Sequence, residues 1–232
     1  MRVAALYDVH GNLPALEAVL AEVEAEGLDQ IVFGGDIASG PLPRETIELV
    51  RDLPNARFVR GNADRLSAPA MNPDWDAARR WVERQLDDEQ VAWLAELPFS
   101  AVLDDTLYVH ATPQDDETVI TELTSEERLS DLLADLTERR VVAGHTHMQL
   151  RREVGAVEFV NAGSVGMPYE AEPGAYWALL EPDKVELRRT DYDRVKAAER
   201  IRTSGHPLAE SLATENVLVV PSRAEALAAF GG

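Results

Sequence analysis

The chain has 232 residues, enough for one large domain with a complete hydrophobic core. It contains no cysteine, which excludes disulfides, iron–sulfur clusters and thiolate zinc sites, so any metal must be held by imidazole, carboxylate or amide groups. The formal charge of −20 repels polyanions, so nucleic acid and anionic membranes are unfavourable partners.

Residues 1–65 predict alternating strands and helices in the order β-α-β-α-β. Three short apolar runs mark the strands, and apolar side chains at helical spacing fill the segment after the first run. Asn12 is the expected N-cap of the first helix, and Gly27 is the residue expected to end it. The expected bounds are 3–7, 31–33 and 56–59 for the strands and 46–51 for part of the second helix.

The middle of the chain continues the alternation of helix and strand. Residues 74–97 are expected to be helical and carry Trp75, Trp81 and Trp93, which we expect to pack in the core rather than to stack on a substrate. The capping box 124–127 predicts the start of a further helix. Strands are expected on either side of that helix, at 107–109 and 141–143.

The last third of the chain changes to β structure and then to a helical tail. Three apolar runs separated by Gly and Pro turns predict strands at 157–160, 175–180 and 185–187. From about residue 191 we expect helices, with a break around His206 and a capping box at 222–225. No internal repeat or low-complexity linker is visible, so residues 1–232 are expected to form a single domain.

Four of the five histidines lie in three short islands, each directly after an apolar run. An aspartate and an asparagine follow two further predicted strands. These residues are Asp8 and His10, His110, His145 and His147, Asp36 in Gly34-Gly35-Asp36, and Asn62 in Gly61-Asn62. Ligand sites in open α/β sheets lie beyond the carboxyl ends of strands. Mixed nitrogen and oxygen donors at these ends predict two adjacent divalent metals, and therefore metal-assisted hydrolysis of a phosphate ester.

The ordered motifs resemble those of the calcineurin-like metallophosphoesterases, the superfamily of purple acid phosphatases, Ser/Thr protein phosphatases and bacterial phosphodiesterases. They are Asp-x-His, Gly-Asp, Gly-Asn, a lone His and Gly-His-x-His, and with the following Asn161-Ala162-Gly163-Ser164 they span residues 1 to about 165. A lone histidine at a strand end is more often structural, so the weight rests on five motifs in order. The resemblance implies a four-layer α/β/β/α sandwich, with two mixed sheets flanked by helices.

The resemblance also implies seven metal ligands in two groups. It places Asp8, His10 and His147 on one metal and Asn62, His110 and His145 on the other, with Asp36 bridging both. Two close dications repel unless anions lie between them, and a bridging carboxylate and a bridging hydroxide supply that charge. The hydroxide is the expected nucleophile, and Asp36, Asn62 and His110 are the expected catalytic residues. Mn²⁺ is the expected metal; Fe, Zn, Ni or Mg are alternatives because mixed donors select weakly.

The third motif departs from the family pattern, which often places a histidine after the asparagine. Here the sequence is Gly61-Asn62-Ala63-Asp64, and Ala63 cannot protonate a leaving group. Because general acid catalysis contributes about 10²–10⁴-fold, poor leaving groups should suffer most. Small residues at this position resemble a bacterial phosphodiesterase branch. Asp64 could replace the acid, but a capping or ion-paired carboxylate with Arg60 or Arg65 is the more ordinary interpretation.

Three further residues are candidates for the substrate side of the site. Asn62 is a neutral ligand that leaves the centre more positive than an aspartate would, which favours an anionic substrate. Arg60 beside the motif could face the phosphate, although such an arginine more often lies on a solvated surface. Tyr169 follows the Gly163-Ser164 segment and is a candidate contact. His206 lies outside every motif and is expected in a turn.

The predicted function is hydrolysis of small phosphodiesters or activated phosphomonoesters by a divalent-metal-dependent phosphoesterase. Alternatives with the same chemistry are a dinucleoside-polyphosphate hydrolase and a Ser/Thr-type protein phosphatase. A non-catalytic interaction scaffold is an alternative of another class, and a nuclease is disfavoured by the negative charge. The expected partner is a small phosphorylated substrate, and the oligomeric state stays open.

The sequence predicts a cytoplasmic protein that does not enter membranes. No apolar stretch approaches the roughly 20 residues that a membrane helix needs. Asp8 interrupts the N-terminal apolar run too early for a signal peptide.

Overall fold

A computed structural model describes residues 1–66 and 72–230 and contains two five-stranded sheets. The strands are β1 Val3–Leu6, β2 Gln30–Phe33, β3 Ala56–Phe58, β4 Ser100–Leu103, β5 Thr106–Val109, β6 Arg140–Ala143, β7 Leu150–Val154, β8 Val157–Asn161, β9 Ala175–Glu181 and β10 Lys184–Thr190. The helices are α1 Leu13–Glu26, α2 Pro43–Arg51, α3 Pro73–Gln85, α4 Asp88–Ala95, α5 Glu126–Leu133, α6 Arg194–Arg202, α7 Ala209–Leu212 and α8 Arg223–Ala229, with a π-helical segment Ala213–Leu218 after α7.

Both sheets are mixed. The first has the order β10-β9-β1-β2-β3, in which β1, β2 and β3 are parallel and the other two strands run antiparallel to their neighbours. The second has the order β4-β5-β6-β8-β7, with three parallel strands and an antiparallel strand at each edge. Leu6 pairs with Phe33 and Phe33 with Phe58, so the first three strands end level with one another.

Strand β1 is buried on both faces. Val3 and Ala5 belong to the core between the two sheets, whereas Ala4 and Leu6 belong to the core under the helices. Successive side chains of a strand point to opposite faces, so one apolar run fills two cores. This explains why the run is continuously apolar instead of alternating with polar residues.

The two sheets and their helices form four layers. Side chains of both sheets meet in a central core, where Tyr7 and Val32 lie in one cluster with Tyr108, Val142 and Val160. Helices α1 to α4 contribute to the core on the outer face of the first sheet, and α5 covers the second. The predicted four-layer sandwich of two mixed sheets flanked by helices is confirmed.

The helix ends follow the predicted capping chemistry in most places. The Asn12 side chain accepts a hydrogen bond from the Ala15 amide, and Gly27 ends α1 in the left-handed conformation with φ 58°. Ser222 and Glu225 form the reciprocal capping box of α8. The start of α5 lies one residue from the prediction, because Ser125 is the N-cap and accepts from the amide of Arg128.

The expected helix at 74–97 is two helices instead. Helix α3 ends at the extended residue Leu86, and Asp87 begins α4 through a capping box with Gln90. The pattern of apolar residues continues across the break, so periodicity alone could not reveal that the helix is interrupted. Strands β4 and β7 were not predicted; β4 pairs only at the sheet edge, where its side chains are partly exposed.

The helices after the last strand form a small apolar cluster of their own. Ala198, Ile201, Leu212 and Val217 pack with Met167 in this cluster. Within the described ranges, no helix is long and apolar enough to cross a membrane. The organisation of the whole chain as a single domain stays a prediction.

Candidate metal centre and adjoining cavity

All seven predicted metal ligands lie in loops that leave the carboxyl ends of five strands. Asp8 and His10 follow β1, Asp36 follows β2, Asn62 follows β3, His110 follows β5, and His145 and His147 follow β6. Backbone hydrogen bonds join the loops: the Asp8 amide donates to the Gly35 carbonyl at 3.1 Å, and the Gly144 amide donates to the His110 carbonyl at 2.9 Å. The fold therefore brings together side chains that are up to 139 residues apart, as Asp8 and His147 are.

Five of these seven residues have a left-handed backbone, which non-glycine residues rarely adopt. The φ values are 52° for Asp8, 47° for His10, 52° for Asp36, 67° for His145 and 58° for His147. Within the described ranges the remaining non-glycine example is Asp104, in the turn between β4 and β5. Each such conformation costs of order 1–3 kcal/mol, so their concentration at one place indicates a constraint set by function.

Two glycines allow the ligand loops to approach one another. A Cβ at Gly61 would lie 2.1 Å from Oδ1 of Asp36, and a Cβ at Gly144 would lie 2.5 Å from Oδ2 of Asp8. Real Cβ atoms do not approach other atoms so closely. The glycines of the Gly-Asn and Gly-His-x-His motifs are therefore required by the packing of carboxylates against the neighbouring backbone.

Each histidine of the cluster has one ring nitrogen next to a backbone carbonyl oxygen. The contacts are His10 Nδ1 to Ser39 at 3.1 Å, His110 Nδ1 to Gly34 at 2.9 Å, His145 Nε2 to Glu117 at 3.0 Å and His147 Nδ1 to Met167 at 2.7 Å. Because a carbonyl oxygen only accepts, each of these nitrogens carries a hydrogen. The other nitrogen of each neutral ring then presents a lone pair.

Those lone pairs converge on other acceptors. Nε2 of His10 and Nε2 of His147 are 3.2 Å apart, and Asn62 Oδ1 lies 2.9 Å from His110 Nε2 and 3.1 Å from His145 Nδ1. Acceptors at these distances repel one another unless a cation lies between them. Imidazole, carboxylate and amide oxygen together suit divalent transition metals and Mn²⁺. The residues present therefore fit divalent cations.

Asp8 supports the same conclusion. Its Oδ1 is fully buried and has no hydrogen-bond partner in the described part of the chain, and it lies 3.4 Å from Nε2 of His147. A buried carboxylate oxygen without a partner is costly unless it binds a cation. Oxygen and nitrogen atoms of Asp8, His10 and His147 lie within 4.8 Å of one another, and so do those of Asp8, Asp36 and His110.

Burial and neighbouring charges shift the pKa values of these groups in different directions. Burial lowers the pKa of His10 and His145, which favours their neutral forms. Burial opposes ionisation of Asp8, but the histidines around it, His147 first, hold its carboxyl pKa below the usual value. Burial also opposes protonation of His110, but Asp36 and Asp8 raise its pKa. Metal binding requires an ionised carboxylate beside neutral imidazoles. The shifts of Asp8, His10 and His145 favour that state, whereas a cation at His110 has to displace the proton that Asp36 and Asp8 favour there.

Asp64 lies beneath the Asp36 loop. Its carboxylate accepts hydrogen bonds from the amides of Asp36 at 2.8 Å, Ile37 at 3.0 Å and Gly61 at 2.9 Å. Burial and the charge of Asp36 raise its pKa to about 7. Both carboxylate oxygens of Asp64 therefore accept from backbone amides, and these amides belong to the loops that carry the candidate ligands Asp36 and Asn62. This placement favours a supporting role for Asp64, and the role in protonating a leaving group stays a prediction.

The expected ion pair of Asp64 with Arg60 or Arg65 is wrong. Both arginines pair instead with the buried Asp116, Arg60 at 3.3 Å and Arg65 at 3.2 Å. The loop after His110 supplies this carboxylate, which the sequence analysis did not single out. Arg60 does not line the cavity beside the ligands, whereas Arg65 does. Of these two arginines, the one that lines the cavity is therefore the one after the motif and not the one before it.

A cavity of about 200 Å³ opens beside the ligand cluster. Its ligand wall consists of His10, Asp36, Asn62, His145 and His147. Its outer wall consists of Arg65, Trp75, Arg79, Met167, Tyr169 and Phe230. Ser39 and Ala63 also line it. The cavity thus joins a polar, metal-binding surface to an apolar and aromatic one.

Tyr169 joins the two walls. Its ring stacks on the His147 ring, with centroids 4.8 Å apart and an interplanar angle of 29°. Its amide donates to the His147 carbonyl at 3.1 Å. Burial raises the pKa of its hydroxyl to about 12, so the phenol stays neutral at physiological pH. The predicted contact with substrate is compatible with this position and stays a prediction.

Most of the outer wall was missed. Trp75 was expected in the core; it does pack against the C-terminal apolar cluster, but it also lines the cavity. Arg79 lies one helical turn later on α3 and could have been found from that spacing. Phe230 lies about 80 residues beyond the last motif, and no sequence signal pointed to it. The expected turn residue His206 is buried, with its ring edge-on to Trp81 at 5.1 Å.

The segment after the last motif braces the ligand loops. Ser164 donates its hydroxyl hydrogen to the Asp8 carbonyl at 2.8 Å and accepts from the Met167 amide at 2.8 Å. Asn161 donates to the Gly144 carbonyl at 2.5 Å and to the Thr146 hydroxyl at 3.0 Å. These contacts hold the backbone on both sides of the candidate metal centre.

Comparisons with known proteins agree with this geometry. The model of the calcineurin-like phosphoesterase superfamily domain matches residues 1–184. The uncharacterized protein MJ0912 of Methanocaldococcus jannaschii is 30% identical over 230 residues, which cover 86% of this chain and 91% of that protein. A metallophosphoesterase crystal structure from Sphaerobacter thermophilus is 32% identical with a TM-score of 0.77, over 94% of this chain and 98% of that one. The hypothetical protein PH1004 from Pyrococcus horikoshii, at 23% identity and a TM-score of 0.81 over 92% and 96% of the two chains, shares the fold.

Proposed function

This chain belongs to the calcineurin-like phosphoesterase superfamily, and from that premise we propose that it is a divalent-metal-dependent hydrolase of small phosphodiesters or activated phosphomonoesters. The single observation that carries the proposal is the convergence of acceptors without donors. With the imidazoles in the neutral form that a metal requires, three pairs of nitrogen or oxygen acceptors lie 2.9–3.2 Å apart in the ligand cluster. A cluster of this kind is stable when cations occupy it.

The proposed ligands of the two metals follow the motif order. Asp8, His10 and His147 would hold one ion, Asn62, His110 and His145 the other, and Asp36 would contact both. Support comes from the position of Asp36, whose Oδ2 lies 3.6 Å from Nε2 of His10 and 3.6 Å from Nε2 of His110. One carboxylate oxygen is therefore equidistant from one histidine of each group.

Divalent ions held there would lower the pKa of a bound water and neutralise the phosphate oxygens. The chain supplies the orientation. Backbone carbonyls fix the imidazole rings in the tautomer that a metal needs, as outer hydrogen-bond partners of metal ligands do. The amide of Ala63 donates to Asp36 Oδ1 at 2.8 Å, which leaves Oδ2 directed towards His10 and His110.

The proposed preference for diesters and activated monoesters rests on the lack of a proton donor. Ala63 lines the cavity where the family often has a histidine, and its methyl group cannot transfer a proton. The carboxylate of the neighbouring Asp64 accepts hydrogen bonds from three backbone amides. Leaving groups that depart as stable anions need no acid, so they should react fastest.

The proposed metal is Mn²⁺. Imidazole and carboxylate sites of mixed type bind several divalent ions, and availability decides between them. Iron, zinc, nickel and magnesium are therefore alternatives, which metal analysis of the protein as purified from its own cells would distinguish.

An alanine substitution at Asp36 tests the proposal, with Asp104→Ala as a matched control. Both aspartates have left-handed backbones, with φ 52° and 51°, so alanine pays the same backbone cost at each. Asp36→Ala should lower Mn²⁺ content and the hydrolysis of bis(4-nitrophenyl) phosphate by at least about 100-fold, because losing a bridging ligand exceeds the effect of losing an outer partner. Asp104→Ala should retain both. Full metal binding and turnover in Asp36→Ala would refute the proposed centre.

The substrate class is tested by a hydrolysis profile of the Mn²⁺-loaded protein. Bis(4-nitrophenyl) phosphate and 4-nitrophenyl phosphate should be hydrolysed faster than glycerol phosphate or a phosphoserine peptide. A dinucleoside polyphosphate distinguishes the corresponding alternative. If alkyl monoesters or the phosphopeptide react fastest, the inference from Ala63 is wrong; an interaction scaffold would hydrolyse none of them.

A further inference from the structure

The C-terminal segment reaches the cavity although it lies outside the matched family domain. The match ends at residue 184, and Phe230 at the end of α8 lines the cavity. Helix α8 is fixed to the domain at its first residue. Arg223 bonds both carboxylate oxygens of Glu170, at 2.9 and 3.1 Å, the Gln149 carbonyl at 3.1 Å and Glu122 at 2.8 Å. Gln149 and Glu170 belong to the loops that follow His147, so α8 is anchored beside the ligand cluster.

Three aromatic rings line the cavity next to the ligand wall. They come from separate parts of the chain: Trp75 from the first turn of α3, Tyr169 from the loop after β8, and Phe230 from the end of α8. The Tyr169 and Phe230 centroids are 6.4 Å apart at 51°. Because Tyr169 also stacks on His147, a group that packs on these rings lies next to a candidate metal ligand.

The charges around the rings select the kind of aromatic contact. Rings that bind ammonium groups require a site free of repelling cations. Here Arg65 and Arg79 line the same cavity, and Asp36 is the one carboxylate among its described lining residues. The terminal nitrogens of the arginines are ion-paired, Arg65 with Asp116 at 3.2 Å and Arg79 with Asp76 at 2.7 Å, whereas Nε of each is buried without a hydrogen-bond partner in the described chain. These buried N–H donors, together with cations at the ligand wall, would favour a flat group attached to an anion over a cationic ligand.

We propose that Trp75, Tyr169 and Phe230 form a subsite for a planar aromatic group carried by the phosphoester, and that α8 is a specificity element of this chain. The aromatic group is a nucleobase or an aryl ring, since both present flat apolar faces for stacking. The subsite rests on the proposed function, because the phosphate of the ligand is expected at the ligand wall. The phosphate holds the ligand by charge, and the rings select which ester enters.

Binding of anions that the Mn²⁺-loaded protein cannot hydrolyse, or is expected to hydrolyse only slowly, tests the subsite without relying on turnover. Two pairs of anions are compared. Phenylphosphonate carries an aryl ring where methylphosphonate carries a methyl group, and thymidine 5′-monophosphate carries a nucleobase that 2-deoxyribose 5-phosphate lacks. Isothermal titration calorimetry should give the ring-bearing member of one or both pairs an affinity about ten-fold higher, the order expected for one stacking partner. The pair with the larger ratio identifies the aryl or the nucleobase source.

Two variants locate the preference in the rings. Phe230→Leu and Trp75→Leu should each reduce the affinity ratio several-fold towards one. Val219→Ala is the control, because Val219 lies in the same C-terminal segment, is 62% exposed and does not line the cavity. Thermal unfolding establishes whether each variant is folded. If Phe230→Leu is not folded, the affinity ratio of Trp75→Leu alone tests the subsite.

The outcomes separate the subsite from the proposed function. Equal binding of the paired anions by the wild-type protein overturns the subsite, and so does a ratio that neither Phe230→Leu nor Trp75→Leu changes. A ring preference that falls in the variants supports the subsite even if the protein hydrolyses no ester, in which case the proposed function fails alone. Hydrolysis without a ring preference leaves the proposed function standing and removes the subsite.

Discussion

The two walls of the cavity are built in different ways. The ligand wall comes from loops at the ends of parallel strands, within the residues that the family model matches. Four of its five residues have left-handed backbones, as does the adjoining Asp8. The outer wall comes from the loop before α3, from α3 itself, from the loop before β9 and from the last helix. Its Tyr169 ring packs on Phe230 and on His147, and the Tyr169 amide donates to the His147 carbonyl at 3.1 Å. The ligand wall is fixed by backbone geometry, whereas the outer wall is fixed mainly by packing.

This difference suggests that the ligand wall carries out the reaction and that the outer wall selects the substrate. A metal centre tolerates little displacement, because ligand distances and ring orientations decide affinity. Aromatic packing tolerates replacement and gradual change. The ligand wall therefore accounts for membership of a large superfamily, and the outer wall is where this chain can differ from its relatives. Substitutions in the two walls should accordingly have different kinds of effect.

After the loss of Asp36 itself, the largest expected effect comes from Asp64, which supports the ligand wall from below. Asp64→Asn removes one of the carboxylate oxygens that accept from the amides of Asp36, Ile37 and Gly61 and places an NH₂ group against a donor. We expect Mn²⁺ affinity to fall about 10- to 100-fold, as for outer partners of metal ligands. Stability should fall by about 2 kcal/mol, the cost of a buried unsatisfied donor. Metal titration and thermal unfolding measure the two effects.

The same substitution distinguishes support from proton transfer. A general acid would lose turnover of poor leaving groups and its alkaline pH dependence, while Mn²⁺ affinity and stability stayed at wild-type values. That result would restore the predicted catalytic role of Asp64. Asp183→Asn is a suitable control, since this side chain is 94% exposed in the turn between β9 and β10.

The sequence predicted the fold and the ligand wall well because both leave local marks. Apolar strands, helix caps and ligand loops at strand ends each involve a few consecutive residues, as Asn12 and Gly27 illustrate for α1. The residues of the ligand cluster are also chemically unusual, since histidines are rare here and four of five lie in motifs. Their mutual placement followed from sheet topology.

The outer wall could not be predicted because its residues have ordinary roles elsewhere. Trp75 lies among other tryptophans that pack against the core, as Trp81 and Trp93 do. Phe230 reaches the cavity through the path of the whole C-terminal segment and through the ion pair of Arg223 with Glu170. Such long-range contacts leave no periodic signal. The hydrogen-bond partners of Asp64 were missed for the same reason, because two of them are backbone amides of the Asp36 loop.

A smaller effect is expected from restoring the histidine that the third motif lacks. Ala63 lies between the two walls and lines the cavity. Ala63→His should raise kcat/KM for esters with alkyl leaving groups about ten-fold, less than the 10²–10⁴-fold of general acid catalysis because Asp64 is bonded to backbone amides and is not free to orient the new ring. Bis(4-nitrophenyl) phosphate should change little, because its leaving group needs no proton. Ala63→Gln has similar bulk without a titrating ring, so an equal gain in that variant would argue against acid catalysis.

The smallest expected effect concerns the stability of the outer wall in acid. His206 is buried and packs edge-on against Trp81 of α3, the helix that also carries Trp75 and Arg79. Burial lowers the pKa of His206 from 6.5 to about 4, so the unfolded chain binds the proton more readily. Stability is therefore complete above pH 6.5 and falls as the pH drops towards 4, with a loss of about 1 kcal/mol at pH 5.5. That loss corresponds to a decrease in Tm of about 3 °C for a chain of this size.

His206→Gln should remove this part of the acid sensitivity, because glutamine can still accept from the Leu208 amide but does not titrate in this range. The measurement is the change in Tm between pH 7.5 and pH 5.5, compared between the variant and the wild-type protein, so that contributions from the ligand-wall histidines cancel. Mn²⁺ affinity at pH 7.5 should be the same in both proteins, since His206 contacts the helix of the outer wall and none of the metal ligands. If Tm falls equally in the variant and the wild-type protein between pH 7.5 and pH 5.5, protonation of His206 has little effect on stability. The stability of the outer wall would then not depend on the titration of His206.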